Sequence, residues 1–255
     1  MTHWTEEMFV DHPEVFAVTM HRRIDAAAEQ VEQLLALVGE HGIEPETALD
    51  VACGIGRHAV ELASADVSVR GVDISPQYVE IARERAEDAD VADRATFEVG
   101  DMRDLGAVDG EYDLVTNMWT AFGYFDEDTN EAVAAGLHET VADDGALVME
   151  LVNKEATMAN YRNSFAGRDD ELLHVEETEY TPATGRMETT LTLFEERGAG
   201  YDHVGEVSWD LRLYAPSELR RLLERAGFSE VSLYGGLDGS DLERESHRLV
   251  VVAEP

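Results

Sequence analysis

Short apolar runs alternate with helix-forming segments through the middle of this 255-residue chain. The apolar runs occupy residues 48–53, 67–74, 95–101, 112–118 and 146–152, and helical patterns at 56–64, 76–89 and 127–141 lie between them. Parallel strands need long crossover connections, which are usually helices. The alternation therefore predicts an α/β fold in which helices cover both faces of a mostly parallel sheet.

The pattern changes after Lys154. Residues 171–197 alternate between apolar and polar side chains on either side of a Thr-Pro-Ala-Thr-Gly turn at 181–185, which predicts a hairpin. A further strand is expected at 206–214. Because these strands follow one another through short turns, we expect an antiparallel patch beside the main sheet.

Helices and a strand pair are also predicted towards the two ends of the chain. Apolar residues at helical spacing predict one amphipathic helix over residues 20–38, which Gly39 ends. Near the other end, a helix is expected over 216–228. Two apolar segments follow at 230–236 and 246–253 with only a loop between them, which predicts an antiparallel pair.

The charge balance is strongly acidic, with 55 Asp and Glu against 19 Lys and Arg, and Lys154 is the single lysine. The formal net charge of −36 is spread over nearly every predicted helix and turn, which indicates a solvated acidic surface. In this respect the chain resembles proteins of halophilic archaea, in which concentrated salt screens the repulsion between acidic groups. Such a surface repels phosphate backbones at ordinary salt, so nucleic acid is disfavoured as a partner.

The composition also predicts the compartment. No run approaches 18 apolar residues, and the first residues have neither the basic flank nor the apolar stretch of a signal peptide. Cys53 is the single cysteine and has no second thiol for a disulfide or a metal site. We therefore expect a soluble cytosolic protein without a membrane partner.

A glycine turn follows the first predicted strand. Gly54-Ile55-Gly56 fits the glycine pattern of a dinucleotide-binding turn, in which the backbone passes close to a ligand at the start of a helix. The second strand ends in Asp73, 19 residues after Gly54, where a carboxylate can accept hydrogen bonds from a ribose diol. These features alone permit either NAD or S-adenosylmethionine.

Asp50, just before the glycines, favours S-adenosylmethionine over NAD. Beside a pyrophosphate it would be a like charge, which at about 4 Å costs roughly 1 kcal/mol in water and more when partly buried. S-adenosylmethionine brings an ammonium and a sulfonium, for which an acidic neighbour is favourable. The third strand ends in Gly100-Asp101-Met102, so carboxylates follow three successive strands, an arrangement that suits a cationic nucleoside.

In these motifs the chain resembles the class I S-adenosylmethionine-dependent methyltransferases. The likeness extends over about residues 20–255, and its motifs are 49–57, 71–75, 100–102 and 112–117. The resemblance implies a Rossmann-like seven-stranded sheet, mostly parallel, whose last strand is antiparallel. The resemblance implies the following cofactor-binding residues: Asp50, Ala52, Gly54, Gly56, Arg57, Asp73, Ile74, Asp101, Met102 and Asn117. Ala52 replaces a glycine frequent in the family, and we expect this to affect only how closely the backbone approaches the cofactor.

Four segments are expected within this frame. Residues 1–45 would form an N-terminal helical lid, 46–153 the S-adenosylmethionine-binding core, 154–214 an antiparallel β insertion on the substrate side, and 215–255 the end of the methyltransferase sheet. The lid and the insertion differ from the cofactor core, so we expect them to determine substrate choice.

The segment after the fourth strand reads NMWTAFGYF and concentrates aromatic side chains. Trp119, Phe122, Tyr124 and Phe125 are candidates for a substrate wall or for residues that fix this loop on the core, and the core role is favoured for Phe122 and Phe125. The motif lacks the Pro-Pro pair typical of enzymes that methylate exocyclic amines of nucleobases, so that class is disfavoured.

A catalytic base is not defined by the sequence. His58 and Tyr124 are the candidates, although a residue at the place of His58 more often caps or packs the start of a helix. No metal-binding motif is present, so we expect no metal. The cofactor already carries an activated methyl group, so holding a nucleophile in line can supply most of the acceleration.

The expected function is transfer of a methyl group from S-adenosylmethionine to an N, O or C nucleophile of a small molecule, by a monomer or homodimer. Two alternatives stay open. An NAD-dependent oxidoreductase would be stabilised by NADH, and a non-catalytic sensor would bind S-adenosylmethionine without turnover.

Overall fold

The computed structural model describes residues 3–169, 172–198 and 200–255. Met1 and Thr2 of the expected lid, and Glu171 of the expected hairpin, lie outside the described residues. The strands of the main sheet are β1 (Thr47–Val51), β2 (Ser68–Asp73), β3 (Ala95–Val99), β4 (Tyr112–Asn117), β5 (Val141–Val152), β10 (Glu230–Tyr234) and β11 (Arg248–Glu254). Between β5 and β10 the chain forms β6 (Ser164–Asp169), β7 (Leu172–Thr181), β8 (Arg186–Arg197) and β9 (Gly200–Arg212).

Helices occupy most of the segments between these strands. The helices are α1 (Trp4–Glu6), α2 (Pro13–His21), α3 (Ala27–Glu40), α4 (Arg57–Ser64), α5 (Pro76–Asp88), α6 (Glu127–Glu139), α7 (Lys154–Ala159) and α8 (Pro216–Ala226). A π-helical turn spans Glu7–Asp11, and 3-10 turns span Ile24–Ala26 and Met102–Ala107.

The main sheet has the strand order β10-β11-β5-β4-β1-β2-β3. Its neighbours from β5 to β3 pair in parallel, and β11 pairs antiparallel with both β5 and β10. The predicted Rossmann-like α/β fold with an antiparallel last strand is therefore confirmed. The order reverses next to β1, because β2 lies on one side of it and β4 on the other, and this reversal opens a crevice at the carboxyl ends of the strands.

The second sheet is antiparallel throughout, with the order β6-β7-β8-β9. The predicted hairpin is confirmed as β7 and β8, and the strand expected at 206–214 is the second half of the longer β9. Sequence reasoning missed β6 and α7. The segment before β7 has exposed side chains and lacks the apolar alternation that would have identified an edge strand.

The prediction of one opening helix over residues 20–38 is wrong in its first part. α2 ends at His21, Arg23 leaves the helical region at φ −106° and ψ 4°, and α3 begins at Ala27. The two helices have different partners, because α2 packs on β9 and α3 packs on α4. One straight helix cannot satisfy both contacts, so the chain bends between them.

Two apolar cores cover the two faces of the main sheet. A smaller apolar cluster joins the N-terminal turns to the second sheet through Met8, Val15, Leu191, Leu193 and Val207. The N-terminal segment is therefore held between the second sheet and the carboxyl ends of the main sheet.

Candidate active site

A cavity that is partly open to solvent lies at the carboxyl ends of β1, β2, β3 and β4. The floor comes from the loops after these strands and the roof from the N-terminal segment. The residues that line it are Thr5, Phe9, Phe16, Met20, Ala52, Gly54, Val72, Asp73, Ile74, Tyr78, Gly100, Asp101, Met102, Met118, Trp119, Ala121, Tyr124 and Phe125.

Asp73 fixes the glycine turn at this cavity. Its Oδ2 accepts a hydrogen bond of 2.8 Å from the Gly54 N–H, and its Oδ1 accepts one of 2.9 Å from the Ser75 N–H. Burial, partly offset by these two bonds, raises the pKa of Asp73 to about 6. Gly56 has a φ of 71°, and a Cβ there would overlap Ala82 and Phe97, so the turn needs glycine at this position.

Ala52 has a φ of 58°, in the left-handed region. A residue with a Cβ pays about 1–2 kcal/mol for this conformation. The expectation that alanine here changes only the closeness of the backbone is therefore incomplete, because the substitution also stores backbone strain beside the cavity.

Asp50 lies at the end of β1 with 2% of its surface exposed. The Thr116 hydroxyl donates to its Oδ1 at 2.8 Å, whereas Oδ2 is buried and has no hydrogen-bond partner among the residues that the structure describes. Loss of hydration dominates and raises the pKa of Asp50 to about 7. A buried carboxylate oxygen without a donor is costly, and a cationic ligand would satisfy it.

Arg57 and His58 begin α4 and share one acceptor. Arg57 Nη1 donates to Gln30 Oε1 at 2.7 Å, and His58 Nε2 lies 3.0 Å from the same oxygen. Both residues line a smaller pocket, also lined by Asp50, that shares the walls Met20, Ala52, Gly54, Met118 and Trp119 with the cavity. Burial lowers the pKa of His58 well below 6.5, so its imidazole is neutral, and Nε2 donates to Gln30.

The other expected cofactor residues differ in how far their side chains are already hydrogen-bonded within the protein. Ile74 and Met102 line the cavity directly. Asp101 also lines it, but its carboxylate accepts hydrogen bonds from the Arg103 guanidinium and the Arg103 N–H. The Asn117 amide nitrogen donates to the Val51 and Ala121 carbonyls, and its buried Oδ1 has no partner in the described part of the chain.

The aromatic loop divides between the cavity and the core. Trp119, Tyr124 and Phe125 line the cavity, whereas Phe122 has 1% exposure and packs in the core under β1 and β5. The guanidinium groups of Arg23 and Arg57 lie 5.0 and 5.5 Å from the Trp119 ring centroid. Trp119 also lines the smaller pocket of Asp50 and Arg57, so it forms part of the wall of both pockets.

Sequence reasoning predicted a lid over residues 1–45 but did not identify which of its residues line the cavity. Thr5, Phe9, Phe16 and Met20 all line it, and the first three precede the helix that apolar spacing predicted over residues 20–38. A signal was present, because aromatic side chains at 4, 9 and 16 are frequent for so short a segment. Their spacing fits neither a helix nor a strand, since the segment changes from α to π geometry at Glu7.

The unsatisfied atoms fit an amino acid group. Arg57 Nη2 is buried and, within residues 3–169, 172–198 and 200–255, has no hydrogen-bond partner. The unpaired guanidinium nitrogen of Arg57 suits a carboxylate, and the unpaired oxygens of Asp50 and Asn117 suit an ammonium. The residues present thus fit the methionine part of S-adenosylmethionine.

No group of three or more His, Cys, Asp or Glu side chains able to hold a metal ion occurs among the described residues. In the same part of the chain, no helix is long and apolar enough to cross a membrane.

Residues 48–145 match the family model described as "Methyltransferase domain". A 27-O-demethylrifamycin SV methyltransferase of Amycolatopsis mediterranei (strain S699) is 46% identical over 68 residues, which is 26% of this chain and 25% of that protein. The chain thus aligns with only about a quarter of that relative's length. A dTDP-3-amino-3,4,6-trideoxy-alpha-D-glucopyranose N,N-dimethyltransferase of Streptomyces venezuelae is 27% identical over 91% of this chain and 96% of its own length.

Among solved structures, an S-adenosylmethionine-dependent methyltransferase of Clostridium acetobutylicum ATCC 824 superposes with a TM-score of 0.79. The two chains are 16% identical, over 94% of this chain and 98% of the other. The fold is thus that of the S-adenosylmethionine-dependent methyltransferases. Within that fold, residues 48–145 are the part of the chain that matches the methyltransferase domain model.

Proposed function

We propose that this protein transfers a methyl group from S-adenosylmethionine to a nucleophilic atom of a small molecule. The observation that carries the proposal is the buried, unpaired oxygen of Asp50 beside the glycine turn, with the unpaired nitrogen of Arg57 in the same pocket. Nitrogen is the best supported methyl acceptor atom, because the Streptomyces venezuelae relative, which aligns over most of the chain, is named as an N,N-dimethyltransferase. Oxygen and carbon acceptors occur in the names of other relatives.

Each cofactor residue has a proposed task. Asp50 and Asn117 bind the ammonium, Arg57 binds the carboxylate, and Asp73 accepts hydrogen bonds from the ribose hydroxyls. Ile74 packs on adenine, and Asp101 with the Met102 N–H binds its edge. The backbone at Ala52, Gly54 and Gly56 lies along the methionine part.

When bound, S-adenosylmethionine supplies a methyl group that its sulfonium has activated for in-line displacement. The protein has to hold the acceptor in line and exclude water. Orientation of this kind can lower the activation free energy by about 7–11 kcal/mol. Trp119, Phe16 and Tyr124 provide apolar walls for this purpose. Burial raises the pKa of Tyr124, so its hydroxyl keeps its proton and acts as a hydrogen-bond donor.

The N-terminal lid, residues 1–45, and the β insertion, residues 154–214, are proposed to determine which acceptor binds. The insertion is tied to the cavity wall, because Arg186 donates to the Phe125 carbonyl at 2.6 Å and to the Tyr124 carbonyl at 3.3 Å. The lid supplies the roof of the cavity. Substitutions that change the preferred substrate should therefore lie in these two segments and not in the core at 46–153.

Calorimetry and a transfer assay test the function together. S-adenosylmethionine and S-adenosylhomocysteine should bind with 1:1 stoichiometry, and labelled methyl should pass to an acceptor in a panel of amino sugar nucleotides, phenols and quinols. Stabilisation by NADH in place of S-adenosylhomocysteine would instead identify an oxidoreductase. Binding of S-adenosylmethionine without transfer to any acceptor would identify a sensor.

Replacement of Asp73 by alanine should weaken cofactor binding by at least about 1 kcal/mol, since charged hydrogen bonds are lost. Asp73→Asn keeps one acceptor oxygen and should lose less affinity. Asp113→Asn is the matched control, because Asp113 lies at the end of β4 away from the cavity and its carboxylate accepts hydrogen bonds from Glu46 and Thr47. Equal affinities of wild type and Asp73→Ala by calorimetry would show that the assignment of Asp73 is incorrect.

We also propose that the protein works in the cytosol of a salt-loving organism, as a monomer or homodimer. The support is its single lysine and its net charge of −36.

A further inference from the structure

Methylation of an N–H or O–H acceptor releases a proton, and the ionisable groups of the cavity are poorly suited to take it. Among the described residues they are Asp73, Asp101, Tyr78 and Tyr124. Asp101 is paired with Arg103, and Asp73, whose carboxylate holds the glycine turn, is assigned above to the ribose hydroxyls. Burial raises the pKa of both tyrosines, so both hold their protons.

We propose that Thr5 and His3 form a proton path that carries the acceptor's proton from the cavity to solvent. The proposal rests on the methyltransferase function proposed above. Thr5 lines the cavity with 2% exposure, and its Oγ1 lies 2.8 Å from Nδ1 of His3. This distance is in the range over which a hydroxyl and a general base exchange a proton.

The hydrogen bonds define which nitrogen of His3 is basic. The Thr5 N–H also points at Nδ1, at 3.3 Å, as the cap of α1. Nδ1 therefore carries the lone pair and Nε2 carries the proton. In this tautomer the Thr5 hydroxyl donates to Nδ1 and presents its own lone pairs to a donor in the cavity.

His3 lies outside the cavity, in an adjoining groove that Arg103, Asp126 and Arg186 also line. Phe125 belongs to both walls, and its ring centroid is 5.1 Å from that of His3. Burial, with Arg103 and Arg186, lowers the pKa of His3, and Glu6 and Asp210 oppose this effect. Asp101 and Asp126 also face the ring. The imidazole is thus neutral at neutral pH, and nearby carboxylates stabilise the imidazolium that forms.

The step balances in protons and electrons. The lone pair of the acceptor nitrogen or oxygen forms the bond to the methyl carbon, and the electron pair of the carbon–sulfur bond stays on sulfur. The acceptor's proton passes to Thr5 Oγ1 while the Thr5 hydroxyl proton passes to Nδ1 of His3. The imidazolium then releases a proton to water in the groove.

Three variants test the path. Thr5→Val removes the hydroxyl at nearly constant volume, Thr5→Ser keeps it, and His3→Gln keeps a polar group at the start of α1 but removes the base. With dTDP-3-amino-3,4,6-trideoxy-alpha-D-glucopyranose as the probe amine, kcat at pH 7 should fall at least about a hundredfold in Thr5→Val and His3→Gln, the lower end of general-base effects. Thr5→Ser should stay within about threefold, since the hydroxyl needed for the relay remains.

The pH profile separates a proton path from a purely structural role. Wild type should lose kcat as His3 becomes protonated below its pKa, and this acidic limb should be absent in His3→Gln. Affinity for S-adenosylmethionine, measured by calorimetry, should be the same in all three variants. If the pH profiles of the variants match that of wild type while cofactor binding is normal, the proton path is wrong and the methyltransferase function stands. If the wild type does not bind S-adenosylmethionine, the methyltransferase function itself is refuted.

Nitrogen-15 NMR of labelled histidine gives a second measurement that needs no acceptor, so it decides the case if the probe amine is not turned over. The signal missing in His3→Gln identifies His3. We expect an Nε2–H tautomer, a pKa below 6.5 and a change in the Nδ1 shift in Thr5→Val but not in Thr5→Ser. A protonated Nδ1, or an Nδ1 shift insensitive to Thr5→Val, would contradict the proposal.

Discussion

At the scale of single residues, Asp50 and Asp113 show how position decides the effect of a carboxylate. Both belong to adjacent central strands. Asp50 is buried with one unpaired oxygen, and its pKa is raised to about 7. Asp113 Oδ2 accepts hydrogen bonds from the Glu46 N–H, the Thr47 N–H and the Thr47 hydroxyl, which lower the pKa of Asp113. Asp113 therefore stabilises the fold when ionised, whereas Asp50 costs stability that binding of a cation would recover.

Asp50→Asn should stabilise the ligand-free protein. The folded-state pKa of Asp50 is raised above its unfolded value, so the wild type loses stability as pH rises from about 4 to about 7. At pH 8 the free energy of unfolding of the asparagine variant should therefore exceed that of wild type by an amount on the order of a few kcal/mol, and its melting temperature should be higher. At pH 4 the two proteins should melt at nearly the same temperature. Calorimetric melting at the two pH values measures this, with Asp113→Asn as a control that should melt lower at pH 8. A lower melting point of Asp50→Asn at pH 8 would contradict the prediction.

Cofactor affinity should depend on the ionisation of the same residue. Binding of an ammonium favours the charged form of Asp50, whose pKa is about 7 in the ligand-free protein. The affinity for S-adenosylmethionine should therefore fall as pH is lowered from 8 to 6, and binding near pH 7 should release protons. Titration calorimetry in buffers of different ionisation enthalpy counts these protons. Asp50→Asn should bind at least about tenfold more weakly, and the pH dependence that remains should be that of Asp73 and of the cofactor's own amino group.

At the scale of elements, the loop between β4 and α6 joins the two sheets and shapes the cavity. Trp119 and Thr120 both have positive φ, at 58° and 67°. Thr120 is held by a 2.7 Å bond from its N–H to the Glu150 carbonyl, and its hydroxyl accepts from the Val152 N–H at 3.0 Å. These bonds to β5 maintain a strained conformation that directs Trp119 to the cavity, as is common where a loop forms a functional site.

Gly123 makes the connection from this loop to the second sheet. Its carbonyl accepts from the Arg212 N–H at 2.8 Å, its φ is 96°, and a Cβ would overlap the Arg212 carbonyl oxygen. Gly123→Ala should therefore lower the free energy of unfolding by about 2 kcal/mol or more, through steric overlap and an unfavourable φ. Gly39→Ala is the matched control, because Gly39 lies in α3 with open space around it and should gain about 0.5–1 kcal/mol. Denaturant unfolding of both variants measures the difference, and equal midpoints would contradict it.

At the scale of the whole molecule, the net charge of −36 is the dominant long-range effect. Repulsion of this size destabilises the compact state, and screening by salt reduces it. Most arginines are already engaged with carboxylates, as in the pairs of Arg70 with Glu98 and of Arg186 with Asp210, so these pairs offset only part of the excess acid.

The fold should weaken as salt is removed. We expect the melting temperature to rise continuously from dilute to molar KCl, because the Debye length falls from about 30 Å at 0.01 M to about 3 Å at 1 M. Sucrose, which favours compact states without screening charge, is the control and should not reproduce the rise at low concentration. A melting temperature that is the same in dilute and molar KCl would refute this prediction.

Much of the architecture could be predicted from sequence because its signals are local. The alternation of apolar runs and helices defined the central parallel strands, and the loop-linked segments 230–236 and 246–253 defined the antiparallel pair. The bend between α2 and α3 could not be predicted, since it depends on contacts with β9 and α4. For the same reason, the lid was predicted but its cavity-lining residues Thr5, Phe9 and Phe16 were not, because they meet the loops after β1 and β4 only in the folded chain.

For this protein, the sequence by itself determined the sheet, the glycine turn and the acidic residues at the strand ends, because strand period, turn chemistry and charge are properties of neighbouring residues. Tertiary structure alone decided that Phe122 belongs to the core and Trp119 to the cavity, that Asp101 is paired with Arg103, and that His3 meets Thr5 beside it. These outcomes depend on burial and on contacts between distant segments. Burial also sets the pKa of Asp50, and no local pattern specifies it.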